Sequence, residues 1–460
     1  MTYQHLRRER RRLTATVADL EVSRQNALLV GVRFGRNSLA EAEQSLEELA
    51  LLTDTAGSQP VEKVLFRRPS PDAGLLIGKG QAANLADLTK SDDIDVVVFD
   101  HSLTPAQQRN LQTLFECDVV DREAVILDIF AQHATSREGS LQVELALLRY
   151  RLPRLRGKGE ALSQQAGGIG TRGPGETRLE SDRRRIRQRI SVLEKDLAGL
   201  RQHNQTRRRA RLRSAAPTAA MVGYTNAGKS TLLNQLTGAG ILTEDRLFTT
   251  LDPTIRRLRL PGGREMLLAD TVGFVRRLPH RLVEAFKSTL EEVKDADLML
   301  HLVNAADPDP EGQIKAVEDV LAEIGADAPT ITVVNKIDVA PPAVVRQLLR
   351  RNDPAVAVSA LTGEGATDLV DKLADWMNSR SSMMSLLVPY PRGDVVASLH
   401  RTGEVLTTDT TPNGLLITVR LPPDQVHHFS PFTAPDSQTG SASPTNSGFT
   451  AASPAPKRPA

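Results

Sequence analysis

The fold is indicated most directly by one stretch of the chain, residues 219–233, with the sequence AAMVGYTNAGKSTLL. Four apolar residues predict a short buried strand, which leads straight into the pattern Gly-x-x-x-x-Gly-Lys-Ser from Gly223 to Ser230. The Thr-Leu-Leu that follows begins a helical pattern. A glycine-rich loop between a strand and a helix presents backbone N–H groups and the positive end of the helix dipole, which together favour phosphate groups. The stretch therefore predicts an α/β domain of the phosphate-loop type.

Within this loop, two side chains are suited to a nucleotide phosphate and its metal ion. Lys229 is expected to lie across the β- and γ-phosphates, and the Ser230 hydroxyl to take a magnesium position. Thr250, further along, has a hydroxyl that could close over the magnesium ion. Thr249 is a rival for that role, although we prefer Thr250.

A second motif, Asp270-Thr271-Val272-Gly273, follows an apolar strand at residues 265–269. The carboxylate of Asp270 can hold magnesium, usually through a water molecule. The N–H of Gly273 can meet the γ-phosphate, so this peptide would sense whether that phosphate is present. The motif predicts a switch that responds to nucleoside triphosphate.

A third motif, Asn335-Lys336-Ile337-Asp338, follows another apolar strand and indicates the base. Asp338 can accept from both N1–H and the 2-amino group of guanine, a donor pair that adenine lacks. The stem of Lys336 would flank the ring, and the Ala360 amide in Ser359-Ala360 would donate to O6. These residues predict a guanine site.

The motifs together predict GTP or GDP as ligand and Mg²⁺ as cofactor, with Ser230, Thr250 and, through water, Asp270 at the metal. The predicted nucleotide-binding residues are Gly223, Tyr224, Thr225, Asn226, Ala227, Gly228, Lys229, Ser230, Thr231, Thr250, Asp270, Gly273, Asn335, Lys336, Asp338, Ser359 and Ala360.

Directly after Gly273, a Ras-like enzyme has a Gln that orients the attacking water, but this chain has Phe274. A phenyl ring can neither accept nor donate a proton. We therefore assign no catalytic residue and expect slow intrinsic hydrolysis of GTP, unless a partner supplies the missing group or orders the switch.

The composition indicates roughly three domains plus tails, since the chain has 460 residues and domains have about 100 to 200 each. The single cysteine, Cys117, excludes a disulfide framework and is best explained as a small core residue. No run of ~18 apolar residues and no signal peptide is present, so we expect no membrane span and a cytoplasmic location.

The charge is distributed unevenly, although the net charge is only +2. Residues 149–213 contain nineteen Arg or Lys against six Asp or Glu, so the rest of the chain is net negative. Leucines recur at heptad spacing on both sides of a glycine-rich segment, Gly157 to Gly175, which predicts an antiparallel helical hairpin with a glycine-rich loop. Pro153 is expected to end or kink the first helix. A basic hairpin in an otherwise acidic chain favours a polyanionic partner.

The order of these sequence patterns along the chain predicts an α/β fold. It consists of a phosphate-loop G domain with a Ras-like mixed sheet, an α/β domain and helical hairpin before it, and a small α+β domain after it. The predicted boundaries are a basic tail at 1–23, the N-terminal α/β domain at 24–135, the helical hairpin at 136–214, the G domain at 215–380, the C-terminal domain at 381–427 and a disordered tail at 428–460.

One further tract, residues 167–180 with the sequence GGIGTRGPGETRLE, lies upstream of the phosphate loop. Together with Gly-Tyr-Thr-Asn-Ala-Gly-Lys-Ser and Phe274, it makes the chain resemble the HflX family of GTPases over about residues 24–425. The resemblance implies the domain order given above and binding to the large ribosomal subunit. It also implies the splitting of stalled or hibernating ribosomes, with GTP hydrolysis stimulated by the large subunit and used for release.

The resemblance also implies that residues 171–178 approach the peptidyl-transferase region. The expected rRNA contacts are Arg172, Arg178, Arg183, Arg184 and Arg185. We expect a monomer.

Two cofactor questions stay open. In related GTPases with an apolar residue at the position of Phe274, an asparagine at the position of Asn226 recruits K⁺, and both outcomes are left open for this chain. Some family members bind ATP through the N-terminal domain, where Gly78-Lys79-Gly80 is the nearest candidate. Since a Gly-Lys-Gly turn that opens a helix is more often structural, we do not assign ATP as a cofactor.

Two other functions compete with ribosome splitting. The chain could be an RNA chaperone or ribosome-assembly factor in which GTP gates docking. It could also be a dimeric tRNA-modifying GTPase, which shares the asparagine and the apolar switch residue. That function would need a further catalytic domain and a cofactor site, neither of which is visible in the sequence.

Overall fold

A computed structural model describes residues 24–35, 38–155, 174–212, 216–238, 247–248, 254–276, 287–421 and 425–434. Of these, residues 174–179, 201–212 and 287–289 are described by their backbone alone. The chain divides into two compact units, Met1–Ile126 and Leu127–Ala460, and each has buried apolar clusters of its own.

The first unit is built on a parallel sheet. Its elements are β1 Gln25–Phe34, α1 Leu39–Thr55, β2 Ser58–Arg68, α2 Lys79–Ser91, β3 Val96–Phe99, α3 Pro105–Phe115, β4 Asp118–Asp121 and α4 Arg122–His133, which continues into the second unit. The strand order is β2-β1-β3-β4. All four residues of β3 are buried, as expected for a parallel strand that is covered on both faces. The predicted β/α alternation is confirmed.

The Gly78-Lys79-Gly80 segment starts a helix. Gly78 is the N-cap of α2, and its N–H donates to the Gln81 side chain at 3.0 Å. This bond gives the Gly78 N–H a hydrogen-bond acceptor at the start of the helix. The segment therefore has a structural explanation that needs no ligand.

The helical hairpin consists of α5 Arg137–Arg154 and α6 Pro174–Leu212. Pro153 is the next-to-last residue of α5, so it marks the end of the helix. Our prediction that the loop extends to Gly175 is wrong, because α6 already begins at Pro174. Proline suits a first helical position, where its missing N–H would have no partner. The rest of the predicted loop, residues 156–173, lies outside the described residues.

The predicted leucine stripes pack α5 against α6. Their contact is formed by Leu141, Leu145, Leu148, Ile190, Leu193 and Leu197. Two ion pairs flank it, Arg149–Glu194 at 2.7 Å and Arg189–Glu144 at 2.7 Å. Some arginines of the basic segment are therefore used within the helical hairpin.

The G domain follows with a six-stranded mixed sheet. Its elements are β5 Thr218–Gly223, α7 Lys229–Thr237, β6 Thr254–Arg259, a 3-10 turn Pro261–Gly263, β7 Glu265–Asp270, α8 Lys287–Lys294, β8 Leu298–Asn304, α9 Pro310–Ile324, β9 Thr330–Asn335, α10 Pro342–Arg351, β10 Ala355–Ala357 and α11 Ala366–Arg380. The strand order is β10-β9-β8-β5-β7-β6, and only β6 is antiparallel to its neighbour. Since later strands flank β5 on both sides, a crevice for a ligand is expected at its carboxyl end.

The C-terminal domain is an antiparallel sheet of order β11-β13-β12 with one main helix. Its elements are β11 Ser382–Val388, α12 Gly393–Thr402, β12 Glu404–Thr411, β13 Gly414–Leu421, α13 Val426–Phe429 and a 3-10 turn Ser430–Phe432. The chain is ordered beyond the predicted start of the tail at 428, as far as Ala434, whose N–H donates to the Ser385 carbonyl at 2.9 Å. The reason is that Phe429 and Phe432 pack onto the sheet. The remainder, residues 435–460, lies outside the described residues, as does the predicted basic tail.

In the part of the chain that the structure describes, no helix combines the length and apolar character needed to cross a bilayer.

Candidate nucleotide site

The phosphate loop connects the end of β5 to the start of α7. Gly228 has φ +90° and is the N-cap of α7, and a Cβ at this position would collide with the Asn335 side chain. Only glycine satisfies both conditions. Because α7 begins at Lys229, the backbone N–H groups of its first turn lie next to the loop, which is the arrangement that binds phosphate.

Lys229 is buried under the loop. Its ammonium donates to the carbonyls of Gly223 at 3.2 Å and Tyr224 at 2.9 Å. Burial lowers the pKa of Lys229 to about 8, although the charge of Asp270 acts to raise it. A phosphate beside this ammonium would favour its charged form, so nucleotide binding should be coupled to protonation.

The two predicted magnesium residues that the structure describes lie next to each other. The Ser230 hydroxyl donates to Asp270 Oδ2 at 2.7 Å, and Asp270 is buried at the end of β7. A hydroxyl and a carboxylate are hard oxygen donors, so the pair fits Mg²⁺ held at the phosphate loop. Thr250 and its rival Thr249 lie outside the described residues, and their roles stay predictions.

The Gly273 peptide lies directly against the phosphate loop. A Cβ on Gly273 would be 2.9 Å from Thr225 Cα and 3.0 Å from Lys229 Nζ. The next residue, Phe274, donates its N–H to the Gly223 carbonyl at 3.1 Å and accepts from the Thr225 N–H at 2.7 Å. The Phe274 ring is buried. Position 273, where we predicted the backbone N–H that contacts the γ-phosphate, therefore requires glycine.

The base motif is joined to the phosphate loop by two long-range hydrogen bonds. Asn335 Nδ2 donates to the Ala227 carbonyl at 2.7 Å, and Lys336 Nζ donates to Asn226 Oδ1 at 3.3 Å. Asp338 is exposed at the end of the motif, as a carboxylate that receives a base would be. The predicted recognition of guanine by Asp338 is compatible with this geometry.

One predicted base contact differs in the structure. The Ala360 amide, predicted to donate to O6 of guanine, donates instead to Asn335 Oδ1 at 2.9 Å. Ser359 is buried and its hydroxyl accepts from the Thr362 N–H, so its side chain shapes the loop. A bond to O6 would require the Ala360 amide to be shared with Asn335 or released.

The predicted RNA-contact arginines are described only in part. Arg184 and Arg185 are exposed on α6, and Arg183 is half-buried. Arg178 is described by its backbone alone, and Arg172 lies outside the described residues. The exposed side of α6 is therefore available for a polyanion at two of the five predicted positions.

Sequence reasoning included Tyr224 in the nucleotide site but missed the bond of its hydroxyl, and it missed two other buried side chains, His301 and Phe248. The Tyr224 hydroxyl accepts from the Arg276 N–H at 2.5 Å, so this side chain faces the switch segment after Phe274. His301, beside Val222 in the sheet, has its pKa lowered to about 4 by burial and then by the Lys229 charge. Phe248 packs edge-to-face on Phe130 with ring centroids 4.7 Å apart. No linear spacing connects these partners.

Three family models match successive parts of the chain and together cover most of its length. Residues 43–131 match GTP-binding GTPase N-terminal, residues 133–211 match GTP-binding GTPase Middle Region, and residues 218–336 match 50S ribosome-binding GTPase.

Curated relatives are similar over nearly their whole length. A protein named GTPase HflX from Lacrimispora saccharolytica is 44% identical over 405 residues, covering 88% of this chain and 95% of the relative. A protein of the same name from Escherichia coli strain K12 is 43% identical over 374 residues, covering 80% and 87%. Among solved structures, a GTP-binding protein from Sulfolobus solfataricus in complex with GDP is 24% identical, with a TM-score of 0.41, covering 76% of this chain and 98% of that one.

Proposed function

Since the chain belongs to the HflX family of GTPases, which are ribosome-binding enzymes that hydrolyse GTP, we propose that it dissociates stalled or hibernating ribosomes into subunits. In this proposal the GTP-bound protein binds the large subunit, and hydrolysis of GTP releases it. The protein acts as a monomer in the cytoplasm, where ribosomes are found.

The observation that carries the proposal is that α6 has both a buried contact and exposed arginines. It packs on α5 through Leu193 and Leu197, which are buried. Closer to its start, Arg184, Arg185 and Arg187 are exposed to solvent. Contacts from arginine to phosphate dominate the affinity of proteins for structured RNA, so these arginines suit rRNA.

The chain's own residues supply nucleotide binding. The α7 N-terminus and Lys229 hold the phosphates, the Gly273 peptide responds to the γ-phosphate, and Asp338 selects guanine. Ser230 and, through a water molecule, Asp270 would hold Mg²⁺, which would neutralise negative charge on the phosphates.

Hydrolysis is proposed to depend on the ribosome because position 274 lacks a group that orients water. The Phe274 ring is buried, and its backbone N–H and carbonyl are both bonded to the phosphate loop. A partner must therefore complete the arrangement around the attacking water. This dependence would delay release until the large subunit is engaged.

Potassium beside Asn226 is a second proposal about this site. The Asn226 side-chain oxygen already accepts from one cation, the ammonium of Lys336, at 3.3 Å. K⁺ would have to share that oxygen or displace Lys336 from it. Faster hydrolysis in K⁺ than in Na⁺ at equal ionic strength would support the proposal, and equal rates would reject it.

Gradient sedimentation of purified 70S ribosomes tests the splitting proposal. We expect free subunits when the protein is added with GTP or a non-hydrolysable analogue, and an intact 70S peak with GDP. Asp338→Asn is the matched control, because it should fail with GTP and recover with xanthosine triphosphate. Binding to the large subunit without loss of the 70S peak would instead support a GTP-gated assembly factor or RNA chaperone.

A further inference from the structure

The switch segment after Gly273 is fastened to two other parts of the G domain by side chains. The Tyr224 hydroxyl, from the phosphate loop, accepts from the Arg276 N–H at 2.5 Å. The Arg276 guanidinium forms an ion pair with Asp309 at the start of α9. Tyr224, Arg276 and Asp309 thus form a chain of contacts, here called the switch clamp, from the phosphate loop to α9.

Asp309 has a second bond that fixes its position. It is the N-cap of α9, and its Oδ1 accepts from the Gly312 N–H at 3.0 Å while Oδ2 faces Arg276. A Cβ on Gly312 would collide with the Asp309 carboxylate and lie 2.9 Å from Arg276 Nη2. A side chain at position 312 would therefore displace the Asp309 carboxylate, which lies between the helix and the guanidinium.

The switch clamp holds a segment, Gly273 to Val275, whose backbone must be placed accurately for hydrolysis. Gly273 lies against Thr225 and Lys229, and Phe274 and Val275 are both 1% exposed. Since Phe274 cannot orient water with its side chain, this segment contributes through the position of its backbone. A displacement of about 1 Å at a reacting centre can reduce a rate by about a hundredfold.

We propose that Tyr224, Arg276 and Asp309 are positioning residues that hold Gly273 and Phe274 in the geometry required for GTP hydrolysis. The contacts that define the switch clamp join the phosphate loop, the switch segment and α9, and none of these contacts is made to the base motif. Their effect should therefore fall on the rate of hydrolysis and leave nucleotide affinity unchanged. The proposal concerns the GTPase activity itself and does not depend on ribosome splitting.

Single-turnover hydrolysis and GDP affinity of the full chain test the switch clamp. Tyr224→Phe removes the hydroxyl acceptor and keeps the ring, whereas Asp309→Asn removes the charge and keeps a capping side chain. Each should lower the hydrolysis rate about tenfold and change the GDP dissociation constant less than about twofold. Arg276→Lys, which keeps the cation, should recover more of the rate than Arg276→Ala.

Glu311→Gln is the matched control. It removes a carboxylate in the first turn of the same helix, where Glu311 pairs with Arg351 of α10 and not with Arg276, and should leave the rate unchanged. Wild-type rates in both Tyr224→Phe and Asp309→Asn would overturn the proposal. So would a parallel loss of GDP affinity and rate, since that pattern would indicate general disruption of the site.

Discussion

At the residue scale, the nucleotide site of this chain depends on backbone placement more than on reactive side chains. Phe274 joins the phosphate loop through its N–H and its carbonyl, and its ring is buried. At position 273 there is no room for a side chain, because Thr225 and Lys229 lie too close. The charged side chains that we propose for the site are Lys229 and Asp270, for the phosphates and metal, and Asp338, for the base.

Substitution Asp338→Asn should change the preferred base. The carboxylate that accepts from N1–H and the 2-amino group is replaced by an amide, which can donate to the 2-oxo group of xanthine. We expect GTP affinity to fall at least about a hundredfold and XTP affinity to rise. Competition against a fluorescent nucleotide measures both. Asp371→Asn, an equal change at an exposed position on α11, is the control, and unchanged GTP binding in Asp338→Asn would contradict the assignment.

Nucleotide affinity should weaken as pH rises above about 8. The pKa of Lys229 in the free protein is lowered to about 8 by burial, and the phosphates should raise it in the complex. Binding therefore takes up a proton above pH 8, and affinity should approach a tenfold loss per pH unit there. Below pH 7 the ammonium is charged in both states and affinity should be level. Calorimetry at pH 8.5 in two buffers of different ionisation enthalpy measures the uptake, and its absence would reject this account.

At the element scale, α6 combines an internal role with an external one. Its buried leucines and the Arg189–Glu144 pair hold α5, while Arg184 and Arg185 face solvent. Arg185 lies 3.9 Å from Asp182, but both side chains are largely exposed. An exposed pair of this kind contributes little free energy, so it would not prevent Arg185 from contacting phosphate.

The double variant Arg184→Glu with Arg185→Glu should weaken binding to the large subunit. Losing two phosphate contacts should cost about tenfold or more at physiological salt and reduce the slope of log affinity against log salt by about 2. GTP affinity should not change, because these side chains lie outside the nucleotide site. Co-sedimentation across a salt series measures the effect.

The matched control for that variant is Arg346→Glu with Arg350→Glu. Both residues are exposed on α10, so the change in net charge is the same but lies in the G domain. Equal weakening by the two double variants would indicate a general charge effect and would count against the α6 surface.

At the scale of the whole molecule, the second unit contains the helical hairpin, the G domain and the C-terminal sheet. The C-terminal sheet is attached to the G domain by Arg420, which donates to Asn378 at 3.0 Å and Glu404 at 2.9 Å. Arg264, before β7, lies 3.9 Å from the same Glu404. The C-terminal sheet therefore contacts the residue directly before the strand that ends at Asp270.

Two truncations should locate the end of the C-terminal domain. A chain ending at Ala434 should melt like the full chain, because residues 435–460 contain few large apolar side chains. A chain ending at Leu421 loses Phe429 and Phe432 and exposes the sheet core, which should cost about 3 kcal/mol. Differential scanning calorimetry measures both. Equal melting temperatures for the two truncated chains would show that residues 425–434 do not stabilise the domain.

Much of the fold was predictable because its signals are local. Thr104 and Pro105 form the start of α3 with Gln107, a signal contained in four consecutive residues. The apolar run of β3 is likewise a signal carried by consecutive residues. Prediction was wrong about the start of α6, where Pro174 and Gly175 looked like a turn but form the first helical residues. It also placed the tail too early, because two phenylalanines in a polar segment acquire a role only when a sheet is present to bury them.

By itself, the sequence determined the family, the α/β fold, the GTPase activity and the segments of the nucleotide site, because each motif is a short run whose backbone and side chains act together. Only the tertiary structure decided how these segments meet. It assigned the Ala360 amide to Asn335 and the Tyr224 hydroxyl to Arg276, and it joined Arg276 to Asp309. These partners lie far apart along the chain, and their contact depends on which strands are neighbours in the sheet, a property that no local spacing encodes.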